Sequence, residues 1–181
     1  MMGSEENELM WEQFISESPW STHPISDKFT QEMEALDVSV IMKFPNVGNT
    51  NSYNIYEHQG EDNFINLYFL MNSKLAAYYK FTRLSSSIQS KLIWNSPNSA
   101  GSFMDMFANY IIPKYKIVES DDMLSPKAFE LWKKMIGAYP DYKYYAKVNG
   151  KLFQMTNPFD VYSYEERFNP GGNSTFIASV D

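Results

Sequence analysis

The stretch from Leu92 to Met135 constrains the fold of this chain most, because its segments follow one another in a recognisable order. An apolar strand comes first, followed by a Pro/Asn/Ser turn, an amphipathic helix, a short strand centred on Ile117-Val118 and a second helix. Ser125 is a suitable N-cap for the second helix, Pro126 suits its first turn, and Gly137 is expected to end it. This alternation predicts an α+β protein with a mixed sheet.

The two predicted helices of this stretch each have an apolar face. Pro113 is expected to stop the first helix, because proline has no N–H to donate to the preceding turn. In the second helix Glu130 and Lys134 form an i,i+4 pair, opposite an apolar stripe that includes Trp132. The apolar residues of the first helix are Phe103, Met104, Phe107, Tyr110 and Ile111.

Strand-forming runs dominate the chain before this stretch. Asn72-Ser73 suits a tight hairpin between the two longest runs, and Gly48–Asn51 and Gly60–Asp62 are typical of turns. Because the connections are short, the runs predict an antiparallel meander. The predicted strands are Val38–Phe44, Ser52–His58, Phe64–Met71, Leu75–Leu84 and Ile88–Trp94.

The two ends of the chain show different patterns. Residues 5–16 predict an amphipathic helix, whose apolar face would pack on its own domain or, through Trp11 and Phe14, on a partner subunit. Ser18–Phe29 is expected to be irregular, because Pro19 and Pro24 interrupt helices.

A β-hairpin is predicted towards the C-terminus, with Tyr142–Val148 and Lys151–Met155 joined by Asn149-Gly150. The remaining residues, 157–181, contain Pro and a Gly pair and are expected to form an extended arm. The sequence therefore predicts one domain over residues 1–156, with a mostly antiparallel sheet flanked by helices, and a C-terminal arm over 157–181.

Composition and charge exclude several classes of function. The net charge is −7 and the fifteen Lys and Arg are scattered along the chain, so nucleic acid is an unfavourable partner. The absence of cysteine removes disulfides, thiolate metal sites and cysteine nucleophiles. His23 and His58 are the only imidazoles, and their spacing suits neither a zinc site nor a serine hydrolase triad.

The sequence also bears on where the protein acts. It contains no apolar run of the roughly 18–20 residues that a membrane span needs, and Met1–Glu8 is acidic where a signal peptide would be basic. The eleven Met and thirteen Tyr, together with frequent Asn, suggest an AT-rich genome such as that of a bacteriophage. We therefore expect a virion or host-cytoplasmic location.

The order of elements over Val38–Met155 resembles the GNAT superfamily of acyl-CoA-dependent N-acetyltransferases. In that family a loop of the type Pro-x-x-Arg/Gln-x-x-Gly-x-Gly/Ala follows the fourth strand, and its N–H groups hold the pyrophosphate of coenzyme A. Pro97 stands at the position of the family's proline. If acetyl-CoA binds, the resemblance implies that it is held by Trp94, Asn95, Asn98, Ser99, Ala100, Gly101 and Ser102.

The chain departs from the family pattern at the positions that serve the cofactor. Ala100 replaces the Arg/Gln, and Phe103 and Asp105 replace the two later glycines, so that only Gly101 could help the backbone approach a diphosphate. Many GNAT enzymes carry a Tyr that can protonate the departing thiolate in the helix after the fifth strand. Trp132 occupies that position here, and we interpret it as a core residue.

A polar cluster follows the predicted fifth strand, Lys116–Glu119. Glu119 is the candidate catalytic residue, because it could accept a proton from an amine bound beside the fourth and fifth strands. The alternative is that Glu119, Ser120, Asp121 and Asp122 form a capping and turn segment before the helix that begins after Ser125.

These departures favour a catalytically degenerate, phage-encoded GNAT-like protein that needs no cofactor. It would act through protein contacts as a virion-associated or assembly component, with phage structural subunits or a host protein as partners. Two alternatives remain: an active acetyl-CoA-dependent N-acetyltransferase with a diverged loop, and an acidic inhibitor of a host nucleic-acid enzyme. The aromatic residues expected to form an interface are Trp20, Tyr144, Tyr145, Tyr162, Tyr164 and Phe168.

Overall fold

A computed structural model describes residues 24–50, 52–97, 103–168 and 173–181, without the side chains of residues 24–27. These residues form five α-helices and nine strands, with the hydrogen-bonded strand order β1-β2-β3-β4-β5-β6-β9-β7-β8. The helices are α1 Pro24–Glu34, α2 Val38–Ile41, α3 Phe103–Met106, α4 Ile112–Tyr115 and α5 Pro126–Ala138, with 3-10 helices at Glu61–Asn63 and Pro158–Arg167 and a π-helix at Phe107–Ile111. The strands are β1 Asn46–Thr50, β2 Tyr53–Gln59, β3 Phe64–Met71, β4 Lys74–Arg83, β5 Ile88–Asn95, β6 Ile117–Glu119, β7 Lys143–Val148, β8 Lys151–Met155 and β9 Ser174–Ser179.

The fold is α+β with a mostly antiparallel sheet, as the sequence predicts. The contacts divide the chain into two compact units. One unit contains the described residues of Met1–Thr82 and Lys91–Ser102, and the other contains Arg83–Ser90 and those of Phe103–Asp181. Within the described residues, no helix is long and apolar enough to cross a bilayer.

The first unit contains the antiparallel meander of β1 to β4. The β3–β4 hairpin turns at Asn72 and Ser73, which adopt φ values of 52° and 62°. Two consecutive positive φ angles characterise the type I′ turn, whose twist matches that of the flanking strands. The apolar side chains of the meander are buried, among them Ile55, Ile65, Leu67, Phe69, Tyr79 and Phe81.

Three predictions for the first unit are wrong. Residues 24–29 are not irregular but begin α1, because a proline in the first turn lacks only an N–H that has no helical partner there. Val38–Ile41 is helical rather than extended, because Asp37 is an N-cap that accepts a hydrogen bond from the N–H of Ser39. Asn46–Thr50 is a strand that includes most of the predicted turn Gly48–Asn51, and its register shifts between Asn46 and Gly48.

The second unit contains β6 to β9 and the helices that follow β5. A parallel pairing joins the start of β5 to β6, at Ile88 with Val118 and Gln89 with Glu119. Strand β9 lies between β6 and β7 and pairs antiparallel with both. Aromatic rings from α5 and β9 form the core beside this sheet, where Phe176 contacts both Phe129 and Trp132.

The prediction of an extended C-terminal arm is wrong. All six residues of β9 are buried, and Pro158–Arg167 forms a 3-10 helix with a capping box between Asn157 and Asp160. Ser174–Ser179 has the short apolar centre of a buried strand, but the Pro and Gly residues before it obscured that signal. The division into domains at residue 156 stays a prediction.

The helical segment after β5 continues past Pro113, contrary to the prediction. Between α3 and α4 the π-helix widens the turn, and the N–H of Ile112 donates to the carbonyl of Phe107, five residues back. The next bond of that kind would join residue 113 to Ala108, but proline has no N–H. The hydroxyl of Tyr142 donates to the Ala108 carbonyl instead.

Helix α5 and the hairpin after it match their predictions closely. The hydroxyl of Ser125 accepts a hydrogen bond from the N–H of Ala128, although the helix extends one residue beyond Gly137. Asn149 and Gly150 adopt φ values of 50° and 79° between β7 and β8. The predicted helix over residues 5–16 lies outside the described residues.

Candidate functional site

Glu119 lies at the end of β6, and its carboxylate contacts side chains from three other parts of the second unit. Lys147 on β7 lies 3.4 Å from Oε1, and the Ser87 hydroxyl, just before β5, donates to the same oxygen at 3.4 Å. The Thr175 hydroxyl on β9 donates to Oε2 at 3.2 Å. Glu119 itself is buried, with only 7% of its surface exposed. Its carboxylate therefore connects β6 to β7, to β9 and to the segment before β5.

Glu119, Lys147 and Thr175 line an open pocket of about 510 Å³ in the second unit. Gln89 on β5 also lines it and donates from Nε2 to the carbonyl of Ser120 at 3.1 Å. The N–H of Asn149 in the β7–β8 turn donates to the carbonyl of Asn173, which fixes the rim. The lining residues are Leu84, Gln89, Glu119, Asp122, Lys147, Asn149, Gly150, Asn173, Ser174 and Thr175.

The surroundings of Glu119 favour a structural role over a catalytic one. A general base needs a lone pair directed at the proton that it removes, whereas this carboxylate already binds one ammonium and two hydroxyl groups. Burial of an unpaired carboxylate would be costly, and these partners offset that cost. The alternative, a capping and turn segment over residues 119–122, fits Asp121 better than Glu119. The Oδ1 atom of Asp121 accepts a hydrogen bond from the N–H of Met123 at 3.3 Å within the turn.

Two of the seven predicted cofactor residues lie in the described part of the chain, both in the first unit. Trp94 is buried and packs in a cluster with Phe29 and Leu92. Asn95 accepts a hydrogen bond at 2.8 Å from the hydroxyl of Tyr79, whose pKa is raised well above its usual value by burial. Asn98, Ser99, Ala100, Gly101 and Ser102 lie outside the described residues.

The residues that replace the family's cofactor and acid positions make structural contacts in the second unit. Phe103 packs on Phe107 at a ring distance of 5.2 Å. Asp105 accepts a hydrogen bond at 2.9 Å from the hydroxyl of Tyr139, and burial, more than this bond, raises the pKa of Tyr139. Trp132 is buried, as predicted, and its ring lies 5.5 Å from that of Phe176.

The predicted interface aromatics do not share one environment. Tyr144 is buried, and its hydroxyl donates to the carbonyl of Tyr139 at 2.8 Å, so it cannot contribute to a surface. Phe168 packs on Phe129 and Phe176, and Tyr145 and Tyr164 are partly buried. Tyr162 is exposed and hydrogen-bonds to Glu130, which raises the pKa of Tyr162 to about 12. Trp20 lies outside the described residues.

Sequence reasoning missed the largest apolar exposure in the second unit. Phe159 is 62% exposed beneath the ammonium of Lys133, and Leu152 and Phe153 on β8 are 57% and 44% exposed. The sequence of the predicted hairpin contained a signal for this exposure. Strand β8 lacks the alternation of apolar and polar residues that marks a strand with one solvent-facing side.

Neither metal geometry nor relatives assign a function to this site. Among the described residues, no group of three or more His, Cys, Asp or Glu could hold a metal ion. No protein-family model matches the chain, and no curated protein matches it.

Proposed function

We propose that this chain is a GNAT-like protein that does not transfer acetyl groups and acts through contacts with other proteins. The observation that carries this proposal is the state of Glu119, the candidate base, whose carboxylate is bound by Lys147, Ser87 and Thr175. A carboxylate held in this way stabilises the sheet and is not free to accept a proton from a substrate amine.

The order of the elements supports the GNAT-like part of the proposal. The meander is followed by β5, a helical segment, β6 and α5, which is the order on which the resemblance rests. The first two residues of β5 pair parallel with β6, at Ile88 with Val118 and Gln89 with Glu119, and a parallel pair at this point is part of that order.

The exposed apolar side chains support the binding part of the proposal. Leu152, Phe153, Phe159 and Tyr162 are all exposed in the second unit. Large apolar and aromatic side chains of this kind are the usual anchors of protein interfaces. The Met- and Tyr-rich composition supports a role with phage structural subunits or a host protein. Co-sedimentation of the protein with purified phage particles tests the association with structural subunits.

An assay of thiol release from acetyl-CoA tests the absence of transfer directly. The chain contains no cysteine, so any thiol that appears comes from coenzyme A. We expect no release above the buffer rate with polyamines, lysine-containing peptides or the protein alone. Release that depends on the folded protein and on an added amine would contradict the proposal.

The pocket favours a second candidate function, acetyl transfer by a diverged enzyme. Its volume of about 510 Å³ can admit part of a substrate, and the Asp122 and Glu119 carboxylates among its lining suit a cationic amine. This candidate predicts thiol release that Glu119→Gln abolishes while the melting temperature changes little. Equal rates in the two proteins would exclude Glu119 as the base.

A further inference from the structure

Strand β8 ends the strand order, and no strand among the described residues pairs with its outer edge. Lys151, Leu152, Phe153 and Gln154 are all exposed, and only Met155 is buried. The strand pairs with β7 over five consecutive residues without a register shift, so its free edge is regular. A regular, exposed, apolar edge offers unpaired N–H and C=O groups to another strand.

The opposite end of the strand order is protected in the ways that proteins normally use. Strand β1 has a register shift between Asn46 and Gly48 and is mostly polar. Strand β8 has no proline, bulge or acidic residue, and its only charge is Lys151. Of the two edge strands, β8 is therefore the one suited to pairing.

We propose that β8 pairs antiparallel with β8 of a second copy of this chain, about a two-fold axis at Phe153. In that register Phe153 lies opposite Phe153 of the second copy, Leu152 lies opposite Gln154, and Lys151 lies opposite Met155. A parallel arrangement would instead place Lys151 beside Lys151, and like charges directly opposite each other are destabilising. A two-fold antiparallel pair also closes on itself and exposes no new edge of β8.

Charge complementarity supports this register. The Asp160 carboxylate accepts hydrogen bonds from the N–H groups of Thr156 at 3.1 Å and Asn157 at 3.0 Å, which fixes a negative charge just beyond the end of β8. Lys151 of the second copy, opposite Met155, lies next to that charge. The symmetry repeats the contact, so the dimer contains two ion pairs between Lys151 and Asp160.

Aromatic packing supports the position of the axis. The ring of Phe153 lies 6.1 Å from that of Tyr164 on the 3-10 helix of the same chain. Two such pairs meet where Phe153 lies opposite its symmetry mate. Cross-strand aromatic pairs are among the more stabilising contacts between strands.

Site-specific disulfide formation tests the pairing and its register together. Opposite residues of an antiparallel pair have Cα atoms about 4.5–5.5 Å apart, which suits a disulfide. The natural chain has no cysteine, so Phe153→Cys supplies one thiol per copy. We expect this variant to form a covalent dimer under mild oxidation.

Leu152→Cys is the matched control for this experiment. Each Leu152 lies opposite Gln154, so the two Leu152 Cα atoms are offset by two residues and are about 8 Å apart, which is too far for a disulfide. We expect little covalent dimer from it. Equal crosslinking of the two variants, crosslinking of neither, or crosslinking only to a different protein would overturn the proposal.

Charge reversal in the full-length protein provides an independent test. Lys151→Glu places a carboxylate beside Asp160 of the second copy, so we expect the dimer dissociation constant to rise at least tenfold in sedimentation equilibrium. Lys143→Glu makes the same charge change on β7, away from the free edge, and should leave that constant within about twofold of wild type. A monomeric wild-type protein at 100 μM, or equal effects of both variants, would overturn the inference.

The proposed dimer names one partner for the proposed binding function, a second copy of this chain. Its biological role rests on the proposal that the protein acts through protein contacts. The two proposals fail separately. Absence of the Phe153→Cys crosslink would remove the dimer and leave the acetyl-CoA results unchanged, whereas thiol release would remove the proposed function and leave the crosslink unchanged.

Discussion

Glu119 acts as a connection between strands, and this role depends on partners that are distant in sequence. Ser87, Lys147 and Thr175 come from the segment before β5 and from β7 and β9. Because its two oxygens bind an ammonium and two hydroxyls, removal of a partner leaves a buried charge less well compensated. The stability of the second unit should therefore be sensitive to each partner.

Lys147→Met is expected to lower the free energy of unfolding by about 2 kcal/mol, because it removes the ammonium and leaves the Glu119 carboxylate buried. The Lys147 side chain is partly exposed, so this loss of unfolding free energy should be smaller than for a fully buried ion pair. Lys143→Met, on an exposed position of the same strand, should change it by less than about 0.5 kcal/mol. Chemical denaturation measures both, and equal losses would contradict this role for Glu119.

The buried tyrosines predict how stability depends on alkaline pH. Burial raises the pKa of Tyr79 and Tyr144 above the usual value of 10.0, so the folded protein holds these protons more tightly than the unfolded chain does. Their contribution is present below pH 10 and is lost as the pH rises above it. The slope of unfolding free energy against pH above 10 should therefore be shallower in Tyr144→Phe, and an unchanged slope would contradict the assignment.

At the scale of single residues, local pattern predicted some roles and not others. The cap at Ser125, the turn at Asn149-Gly150 and the core position of Trp132 follow from neighbours within a few positions, so they were predictable. The partners of Glu119 were not, because strand pairing over 28 to 56 residues brings them together. The buried position of Tyr144 was missed for the same reason.

At the scale of elements, the π-helix explains how a proline lies within a helical segment. The widened turn directs the Ala108 carbonyl towards a position where Pro113 has no N–H, and the Tyr142 hydroxyl donates to this carbonyl. Ala108 is buried, so its carbonyl has no access to bulk water. The Tyr142 hydroxyl therefore has a specific structural role that its neighbours in sequence do not indicate.

Tyr142→Phe is expected to cost about 1–3 kcal/mol, because it leaves a buried carbonyl without its donor. Pro113→Ala restores a backbone N–H near this carbonyl, so Tyr142→Phe should cost less in the Pro113→Ala background. Tyr145→Phe, three residues further along in β7, removes a hydroxyl from a partly buried tyrosine and is the control, which should cost little. Equal costs of Tyr142→Phe in both backgrounds, measured by a double-mutant cycle, would contradict this explanation.

The errors in element prediction share a physical cause. Prolines and glycines were interpreted as interruptions at residues 24–29, at Pro113 and before β9. In the structure Pro24 begins a helix, Pro113 lies within a helical segment, and Ser174–Ser179 is a buried strand. Strands with local turn signals, such as β3 with β4 and β7 with β8, were predicted correctly. The central position of β9 depends on pairing with β6 and β7, which no local pattern specifies.

At the scale of the whole molecule, the proposed relationship to the GNAT superfamily rests on the order of the elements, while the residues at the proposed cofactor and acid positions differ from the family pattern. Phe103, Asp105 and Trp132 make packing or hydrogen-bond contacts, and the candidate base is bound on several sides. In the second unit the most exposed large apolar residues, Leu152, Phe153 and Phe159, lie instead on the edge strand β8 and on the 3-10 helix Pro158–Arg167. The central claim is that this scaffold serves binding to proteins and has lost its use of acetyl-CoA.

The melting temperature of the full-length protein with and without acetyl-CoA tests this claim most directly. A ligand at 100 times its Kd stabilises a folded protein by about 2.7 kcal/mol, which is several degrees for a chain of this size. We predict no rise at millimolar acetyl-CoA relative to the same concentration of a nucleotide with similar charge. A rise specific to acetyl-CoA would show that the cofactor site is functional and would contradict the account.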